Sequence, residues 1–191
     1  MLFRSSALLP ALVRDGHRPI LAARGRAVPK GVDAVAWDPA AGTIDAGALE
    51  GLGGVVHLGG AGIGDARWTA ARKRLVLESR TISTRLLAST LAGLANPPSV
   101  FVSASAIGYY GSRGDEILTE QSPPGGDFVA GVCVQWEAAA RAAVDAGIRV
   151  VTPRTGIVLG RGGGVLGRLL LPFKLGIGGR LGDGTDRKSV V

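Results

Sequence analysis

The chain has 191 residues, of which 46% are hydrophobic, 19% charged and 5% aromatic. This length and composition are typical of one soluble α/β domain and exclude a disordered chain. The net charge of +7 comes from scattered basic residues without interleaved aromatic residues, which argues against nucleic-acid binding, and no apolar run is long enough to span a membrane.

The few cysteines and histidines argue against a metal centre. A single cysteine, Cys133, excludes disulfide bonds within this sequence and a cysteine-based metal site. His17 and His57 show no metal-ligand spacing. The first 13 residues superficially resemble a signal peptide, but their apolar run is short, contains Pro10 and lacks a small-residue cleavage site. We therefore expect a cytoplasmic protein without a metal ion.

Helices and strands are predicted to alternate along the chain. Residues 5–14 form a helix that Gly16 ends, and residues 20–23 form a buried strand that ends at Arg24. Further strands are predicted at 34–37, 54–58 and 99–103 and from Arg149 onwards.

Long helices are predicted after the strands at 54–58 and 99–103. Each carries apolar residues at helical spacing, which we expect to face the core: Trp68, Leu75, Ile82 and Leu86 in the first, and Val129, Val132, Trp136 and Ala140 in the second. Strands separated by such helices indicate an α/β fold with a Rossmann-type, doubly wound parallel sheet. Ligands are then expected beyond the carboxyl ends of the strands.

The glycine-rich segment 59–64 lies between a strand and a helix, where free N–H groups and the helix dipole can bind a pyrophosphate. Its spacing, G-G-x-G-x-G, differs from the dinucleotide fingerprint G-x-G-x-x-G. Two strands and a helix also precede it, whereas the phosphate loop normally follows the first strand. We therefore predict that the chain begins too late, without its first strand and phosphate loop, and that segment 59–64 packs beside the cofactor.

Several motifs occur in a characteristic order along the chain: VHLGG at 56–60, RWT at 67–69 with SR at 79–80, SASAIGYYG at 103–111, SPPGGDF at 122–128, WEA at 136–138 and RTGIVLG at 154–160. Together they resemble the epimerase family of atypical short-chain dehydrogenases/reductases, which is related to the extended NAD-dependent epimerases and dehydratases. The resemblance runs from Ser5 to about Thr185.

The resemblance implies a particular division of the chain. Residues 1–160 correspond to a partial NAD(P)-binding Rossmann domain, and residues 161–185 to the start of a substrate-side region whose remainder is largely missing. The family also implies an N-terminal strand with a G-G-x-G-x-x-G loop. Residues 186–191 do not resemble the family, and we interpret them as a non-native tail.

The cofactor implied by the resemblance is a nicotinamide nucleotide. Arg24 follows a strand at the position where NAD-preferring enzymes place a carboxylate on the ribose 2′-hydroxyl, and an arginine there suits a 2′-phosphate. Arg24, with Arg26 nearby, therefore favours NADP(H) over NAD(H), and a solvated loop arginine is the alternative. By resemblance, further residues contact the cofactor: Leu58, Gly59, Arg80, Ser103, Gly156 and Val158. For Arg80 the alternative is a surface ion pair with Glu78 or Asp65, and for Val158 it is packing.

The catalytic groups implied by the resemblance are incomplete. Extended members of the superfamily use a serine and a Tyr-x-x-x-Lys pair, in which the lysine lowers the tyrosine pKa. Ser105, or else Ser103, occupies the serine position, but the tyrosine and lysine positions fall on Phe128 and Val132. Tyr109 and Tyr110 are the only tyrosines, and no lysine is placed beside them by the sequence. Tyr109 is therefore a weak catalytic candidate, with a role in the substrate wall as the alternative.

Two functions remain open from the sequence. The leading hypothesis is an epimerase- or dehydratase-like protein that prefers NADP(H) and acts on an unknown small molecule. The alternative is a non-catalytic NADP(H)-binding or sensor protein that has lost the tyrosine–lysine pair. An esterase based on Ser105 is disfavoured because the G-x-S-x-G turn is absent.

Overall fold

The computed structural model describes residues 3–23, 28–158 and 164–179. Within these ranges the helices are α1 (Phe3–Arg14), α2 (Ala70–Ala92), α3 (Phe128–Ala138), α4 (Arg141–Asp145) and α5 (Gly164–Lys174). The strands are β1 (Ile20–Ala23), β2 (Asp33–Asp38), β3 (Thr43–Ile44), β4 (Gly54–His57), β5 (Val100–Ser103), β6 (Ser105–Ala106), β7 (Arg149–Val151) and β8 (Arg154–Thr155). Short 3₁₀ helices occupy Gly47–Leu49 and Ile107–Tyr110.

Parallel strand pairs dominate the sheets, which confirms the predicted α/β class. Strand β5 lies between β4 and β7 and is parallel to both, so that Phe101 pairs with Val55 on one side and Val150 on the other. Strands β1 and β2 are also parallel, and β3 adds an antiparallel strand that the sequence did not predict. Beyond the carboxyl ends of β5 and β7, the chain forms a second short parallel pair, β6 with β8.

The two larger sheets are not hydrogen-bonded to each other. In the part of the chain that the structure describes, β1 and β4 each have a strand neighbour on one side only. Backbone groups on the other side of each strand are therefore available to a further strand. The sequence-based expectation of an additional strand is compatible with this arrangement and stays a prediction.

The core lies on one face of the β4–β5–β7 sheet. Phe101 is fully buried at its centre, against Leu87 and Leu91 of α2 and Ala143 of α4. Helix α2 begins where the Thr69 side chain accepts a hydrogen bond from the backbone N–H of Arg72, which satisfies a donor that the first turn leaves free.

The predicted buried face of the first long helix is wrong. Trp68 precedes the helix, and the Leu75 and Ile82 side chains are 48% and 41% exposed. The buried face instead includes hydroxyl residues, and its members are Val76, Thr81, Ser83, Thr84, Leu87, Ala88 and Leu91. Hydroxyls such as that of Thr81, which donates to the Leu77 carbonyl, satisfy themselves within the helix and can be buried at little cost.

The prediction for the second long helix is confirmed for its central residues. Val132 and Trp136 of α3 are buried, and Ala140 is buried in the short break between α3 and α4. Among the described helices, none is long and apolar enough to cross a membrane. Helix α5 lies in the predicted substrate-side region, and the division of the chain into regions stays a prediction.

Candidate functional site

The candidate site lies at the carboxyl edge of the β4–β5–β7 sheet. Segment 58–64 follows β4, strand β6 and a 3₁₀ helix follow β5, and strand β8 with residues 156–158 follows β7. Because ligands of open parallel sheets bind at this edge, the fold gathers here most of the residues predicted from the sequence. Those residues are Leu58, Gly59, Ser103, Ser105, Tyr109, Gly156 and Val158. Arg24 and Arg26 lie outside the described residues.

The glycine-rich segment 59–64 is fastened to helix α2 by hydrogen bonds. The N–H of Ala61 donates to the Ser79 hydroxyl over 3.0 Å. The Arg72 guanidinium donates to the Gly62 carbonyl and lies 3.8 Å from the Asp65 carboxylate. A pyrophosphate needs several N–H groups that point at one place, and the Ala61 N–H is already committed. This N–H is therefore not available to a pyrophosphate, and the packing of the segment beside a cofactor stays a prediction.

Arg80 is a second cation that binds this segment. Its Nη1 donates to the carbonyls of Ala61 and Val76 over 3.0 and 2.9 Å, and its guanidinium lies 5.0 Å from the ring centre of Trp136. Burial lowers the pKa of Arg80 below its usual value. No carboxylate of the described residues forms an ion pair with Arg80, so the predicted alternative of a surface ion pair is not observed. A partly buried cation without a carboxylate is suited to an anionic ligand.

His57, at the end of β4, takes part in a buried hydrogen-bond chain with Ser83 and the Ser79 carbonyl that the sequence did not predict. Its Nε2 lies 3.0 Å from the Ser83 hydroxyl, which itself lies 2.7 Å from the Ser79 carbonyl. Because Ser83 donates its only proton to that carbonyl, Nε2 of His57 carries the hydrogen and donates to Ser83. Burial lowers the pKa of His57 to about 4. Ser103, opposite His57 in the strand register, is fully buried, and its hydroxyl has no hydrogen-bond partner among the described residues.

The glycine at position 59 is required by the protein's own packing. A Cβ at Gly59 would lie 2.7 Å from Cε1 of His57, closer than carbon atoms approach without displacement. The neighbouring Leu58 is half-buried, as are Gly59 itself and Val158, whereas Gly156 is buried. The close approach at Gly59 is therefore explained without a ligand, and its predicted contact with a cofactor stays a prediction.

Ser105 belongs to a partly buried network with Glu137 and Arg154. Its hydroxyl donates to Glu137 Oε1 over 2.6 Å. The Arg154 guanidinium binds both carboxylate oxygens, with Nε to Oε1 and Nη2 to Oε2 at 2.9 Å each. The two side chains are only 18% and 17% exposed, and the hydrogen bonds that Arg154 donates to Glu137 raise the pKa of Arg154. Since the hydroxyl of Ser105 has one proton, it cannot donate to Glu137 and to a substrate at once.

The same arginine links this network to the two tyrosines. Nη1 of Arg154 donates to the Tyr110 hydroxyl over 2.9 Å and to the Glu120 carbonyl over 3.0 Å. Its guanidinium also stacks on Tyr109 at 3.4 Å from the ring centre. The structure therefore places the Tyr110 oxygen, rather than that of Tyr109, next to a cation.

A shallow cavity of about 430 Å³, wide open to solvent among the described residues, lies at the carboxyl ends of β1 and β2. Its wall is part apolar and part acidic, and consists of Ala23, Ala36, Trp37, Asp38, Thr43, Ile44 and Asp45. Residues 24–27, which continue from β1, lie outside the described part of the chain. Within the described ranges, no group of three histidine, cysteine or carboxylate side chains is arranged to hold a metal ion.

No protein-family model matches the chain. Among curated proteins, it is 37% identical over 188 residues to Epimerase family protein Mb2239 of Mycobacterium bovis, covering 97% of this chain and 60% of that protein. It is 36% identical over 185 residues to the human Epimerase family protein SDR39U1, covering 95% of this chain and 60% of that protein.

Solved structures give the same result. The human SDR39U1 isoform 2, crystallised with NADPH, superposes with a TM-score of 0.82 at 33% identity, over 97% of this chain and 61% of that chain. A nucleoside-diphosphate sugar epimerase from Corynebacterium glutamicum gives 0.76 at 40% identity, over 92% of this chain and 36% of that chain. These comparisons confirm the resemblance of the chain to the epimerase family. The chain spans about 60% of the length of the curated relatives it matches.

The residues that, by resemblance, stand at the positions of the usual tyrosine and lysine are packing residues in this chain. Phe128 begins α3, where its ring contacts Trp68 edge-on at 5.6 Å and lies 5.2 Å from the Lys73 ammonium. Val132, one turn later, is buried. Neither side chain can transfer a proton, so any proton donor of this site must come from elsewhere.

Sequence reasoning missed Glu137, Arg154 and His57 as members of the site. Glu137 and Arg154 occur in the WEA and RTG motifs that carry the family resemblance, but the resemblance gave them no partner. His57 was considered only as a metal ligand. The predicted roles of Arg80, Ser103, Ser105, Tyr109, Gly156 and Val158 stay predictions for this chain.

Proposed function

We propose that the chain is the nucleotide-binding part of an epimerase- or dehydratase-like protein that prefers NADP(H) and acts on a small-molecule substrate. The observation that carries this proposal is the cavity at the carboxyl ends of β1 and β2, the edge at which Rossmann-type sheets bind dinucleotides. The human relative crystallised with NADPH supports the same cofactor class.

The cavity suits the adenosine end of the cofactor. Its volume of about 430 Å³ is within the range of small-molecule sites. The Asp38 and Asp45 carboxylates lie in its wall, where they accept hydrogen bonds from the backbone N–H groups of Ala40 and Ala48. The same carboxylates repel a phosphate. We expect Arg24 and Arg26, which follow β1 in the sequence, to hold the 2′-phosphate of NADP(H).

Arg80 suits the phosphate-bearing middle of the cofactor. It lies beside segment 59–64 and has no ion-pair partner among the described carboxylates, so an anion brought to this edge gains a cationic hydrogen-bond donor. By family resemblance, Gly156 and Val158 flank the nicotinamide. Both follow β8 at the same edge of the fold.

A second candidate function is NADP(H) binding without catalysis. It is favoured by one observation, the replacement of the usual proton-transfer pair by Phe128 and the buried Val132. A protein of this kind would keep the nucleotide site and use occupancy as its signal. Turnover with a panel of carbonyl compounds and sugar nucleotides distinguishes the two candidates, since only the enzyme transfers hydride.

Equilibrium binding of NADPH and NADH to the full-length protein tests the proposal. We expect tighter binding of NADPH, and we expect Arg24→Ala to weaken it at least about tenfold, equivalent to about 1.4 kcal/mol, with little effect on NADH. Arg141→Ala is the matched control, because Arg141 pairs with Asp145 on the surface of α4. Equal affinities for the two cofactors would refute the preference, and failure to bind either would refute the proposal itself.

A further inference from the structure

We propose that Tyr110 donates the proton to the substrate oxygen, and that Arg154, held by Glu137, positions it in place of the missing lysine. The inference rests on the proposed function, because it requires a nicotinamide nucleotide at this edge of the sheet. It names a catalytic residue and two positioning residues within that site.

The hydroxyl groups at this edge differ in whether their protons are available to a substrate. Ser103 is fully buried, and Ser105 is 1% exposed with its proton committed to Glu137. The Tyr110 oxygen accepts a hydrogen bond from Arg154, which cannot accept one in return. The proton of Tyr110 therefore has no acceptor among the described residues, and the side chain is only half-buried. Of these three hydroxyls, that of Tyr110 combines a free proton with a fixed oxygen.

The charge beside Tyr110 is the one that proton donation requires. Once the proton has left, the phenolic oxygen carries negative charge, and a fixed cationic donor at 2.9 Å stabilises that charge. Glu137 binds the Nε and Nη2 groups of Arg154 and leaves Nη1 directed at Tyr110. Tyr109 lacks such a donor, because Arg154 meets its ring face at 3.4 Å and not its oxygen.

The backbone around Tyr110 is also fixed. The N–H of Gly125 donates to the Tyr109 carbonyl over 2.9 Å. A Cβ at Gly125 would lie 2.7 Å from the Tyr110 carbonyl oxygen and 2.8 Å from Cα of Gly111, so the two segments touch through their backbones. Arg154 itself precedes Gly156, which is predicted to lie beside the nicotinamide. We therefore expect Tyr110, which Arg154 binds, to lie on the nicotinamide side of the edge.

The step is balanced with the cofactor of the proposed function. A hydride passes from C4 of NADPH to the carbonyl carbon of the substrate, the C=O π electrons move to the oxygen, and that oxygen takes the proton of Tyr110. The carbonyl is reduced to an alcohol and NADPH is oxidised to NADP⁺. The phenolate of Tyr110 then regains a proton from water.

The test compares Tyr110→Phe and Tyr109→Phe in the full-length protein, with phenanthrenequinone and a panel of sugar nucleotides as probes. We expect Tyr110→Phe to lower kcat about 10²- to 10⁴-fold, the range for loss of a general acid, without changing the Kd for NADPH. Tyr109→Phe is the competing assignment and should cost less. Because Tyr110→Phe removes only one oxygen and leaves Arg154 paired with Glu137, the variant is expected to fold.

A second readout does not depend on turnover. In protein labelled with ¹³C at the tyrosine Cζ, the Tyr110 signal is the one lost in Tyr110→Phe. We expect that signal to move in Arg154→Lys, because a lysine cannot bind both Glu137 and Tyr110 as the guanidinium does, and kcat should fall in the same variant with KM little changed.

The outcomes separate the inference from the proposed function. NADPH binding without hydride transfer to any probe would overturn the inference and leave the nucleotide site intact. A larger decrease in kcat for Tyr109→Phe than for Tyr110→Phe would also overturn it. So would a Tyr110 chemical shift that is unchanged in Arg154→Lys. Failure of the wild-type protein to bind NADPH would instead remove the proposed function.

Discussion

His57 makes the stability of the fold depend on pH. Its imidazole is 4% exposed, donates through Nε2 to the Ser83 hydroxyl and contacts Trp37 edge-on at 5.7 Å. No carboxylate contributes to its pKa, which burial lowers from 6.5 to about 4. The folded protein therefore keeps this histidine neutral at acidities where the unfolded chain protonates it.

The direction and size of the effect follow from the two pKa values. Above pH 6.5 the histidine is neutral in both states and does not affect stability. Between pH 6.5 and about 4 the unfolded state gains a proton that the folded state does not, so stability falls as the pH falls. At pH 4 the loss amounts to about 3 kcal/mol, a large part of the stability of an ordinary domain.

Urea unfolding of the wild-type protein and of His57→Gln at pH 7, 5 and 4 measures this loss. Glutamine keeps a donor near the position of Nε2 but does not titrate, so the decrease from pH 7 to pH 4 should be about 3 kcal/mol smaller in the variant. Ser83→Ala is the control, because it removes the hydrogen-bond partner and leaves the titrating group. Parallel pH profiles for wild type and His57→Gln would refute the reasoning.

Two further perturbations follow from the site. Glu137→Gln leaves the Arg154 guanidinium, which is 18% exposed, without its carboxylate. We therefore expect urea unfolding to show a free energy of unfolding lower by about 3 kcal/mol. An unchanged urea midpoint would contradict a structural role for the pair. Gly125→Ala should lower the free energy of unfolding by about 2 kcal/mol, because the added Cβ would meet the backbone at Tyr110. Gly126→Ala is the control and should be nearly neutral, because nothing lies within 4 Å of a Cβ at that position. Equal melting temperatures for the two variants would refute the close approach.

Much of the fold could be predicted from the sequence because its signals are local. Alternating apolar runs and long helical stretches predicted the parallel strands and the two central helices, and the glycine and proline punctuation predicted where they end. The buried face of α2 was predicted wrongly for a physical reason. Its serine and threonine hydroxyls bond to carbonyls of the same helix, so they can be buried where a count of apolar residues expects leucine.

The glycine-rich segment 59–64 illustrates a second limit of the sequence. Its composition favours a phosphate loop, and only its spacing and its place in the strand order argue against one. In the structure these glycines make contacts within the protein. Gly59 leaves space for the His57 ring, and the Gly62 carbonyl accepts a hydrogen bond from Arg72. These contacts depend on where the His57 ring and helix α2 lie relative to the segment, and a local sequence pattern does not predict that.

The network around Ser105 could not be predicted because its members meet only through the sheet. Ser105 and Arg154 stand opposite each other in the register of β6 and β8, and Glu137 reaches them from α3, 32 residues after the serine and 17 before the arginine. The usual Tyr-x-x-x-Lys pair can be recognised in a sequence because both residues lie on one helix at a fixed spacing. A tyrosine positioned by an arginine from another strand has no such signature, so the loss of the helical pair at Phe128 and Val132 does not by itself imply the loss of proton transfer.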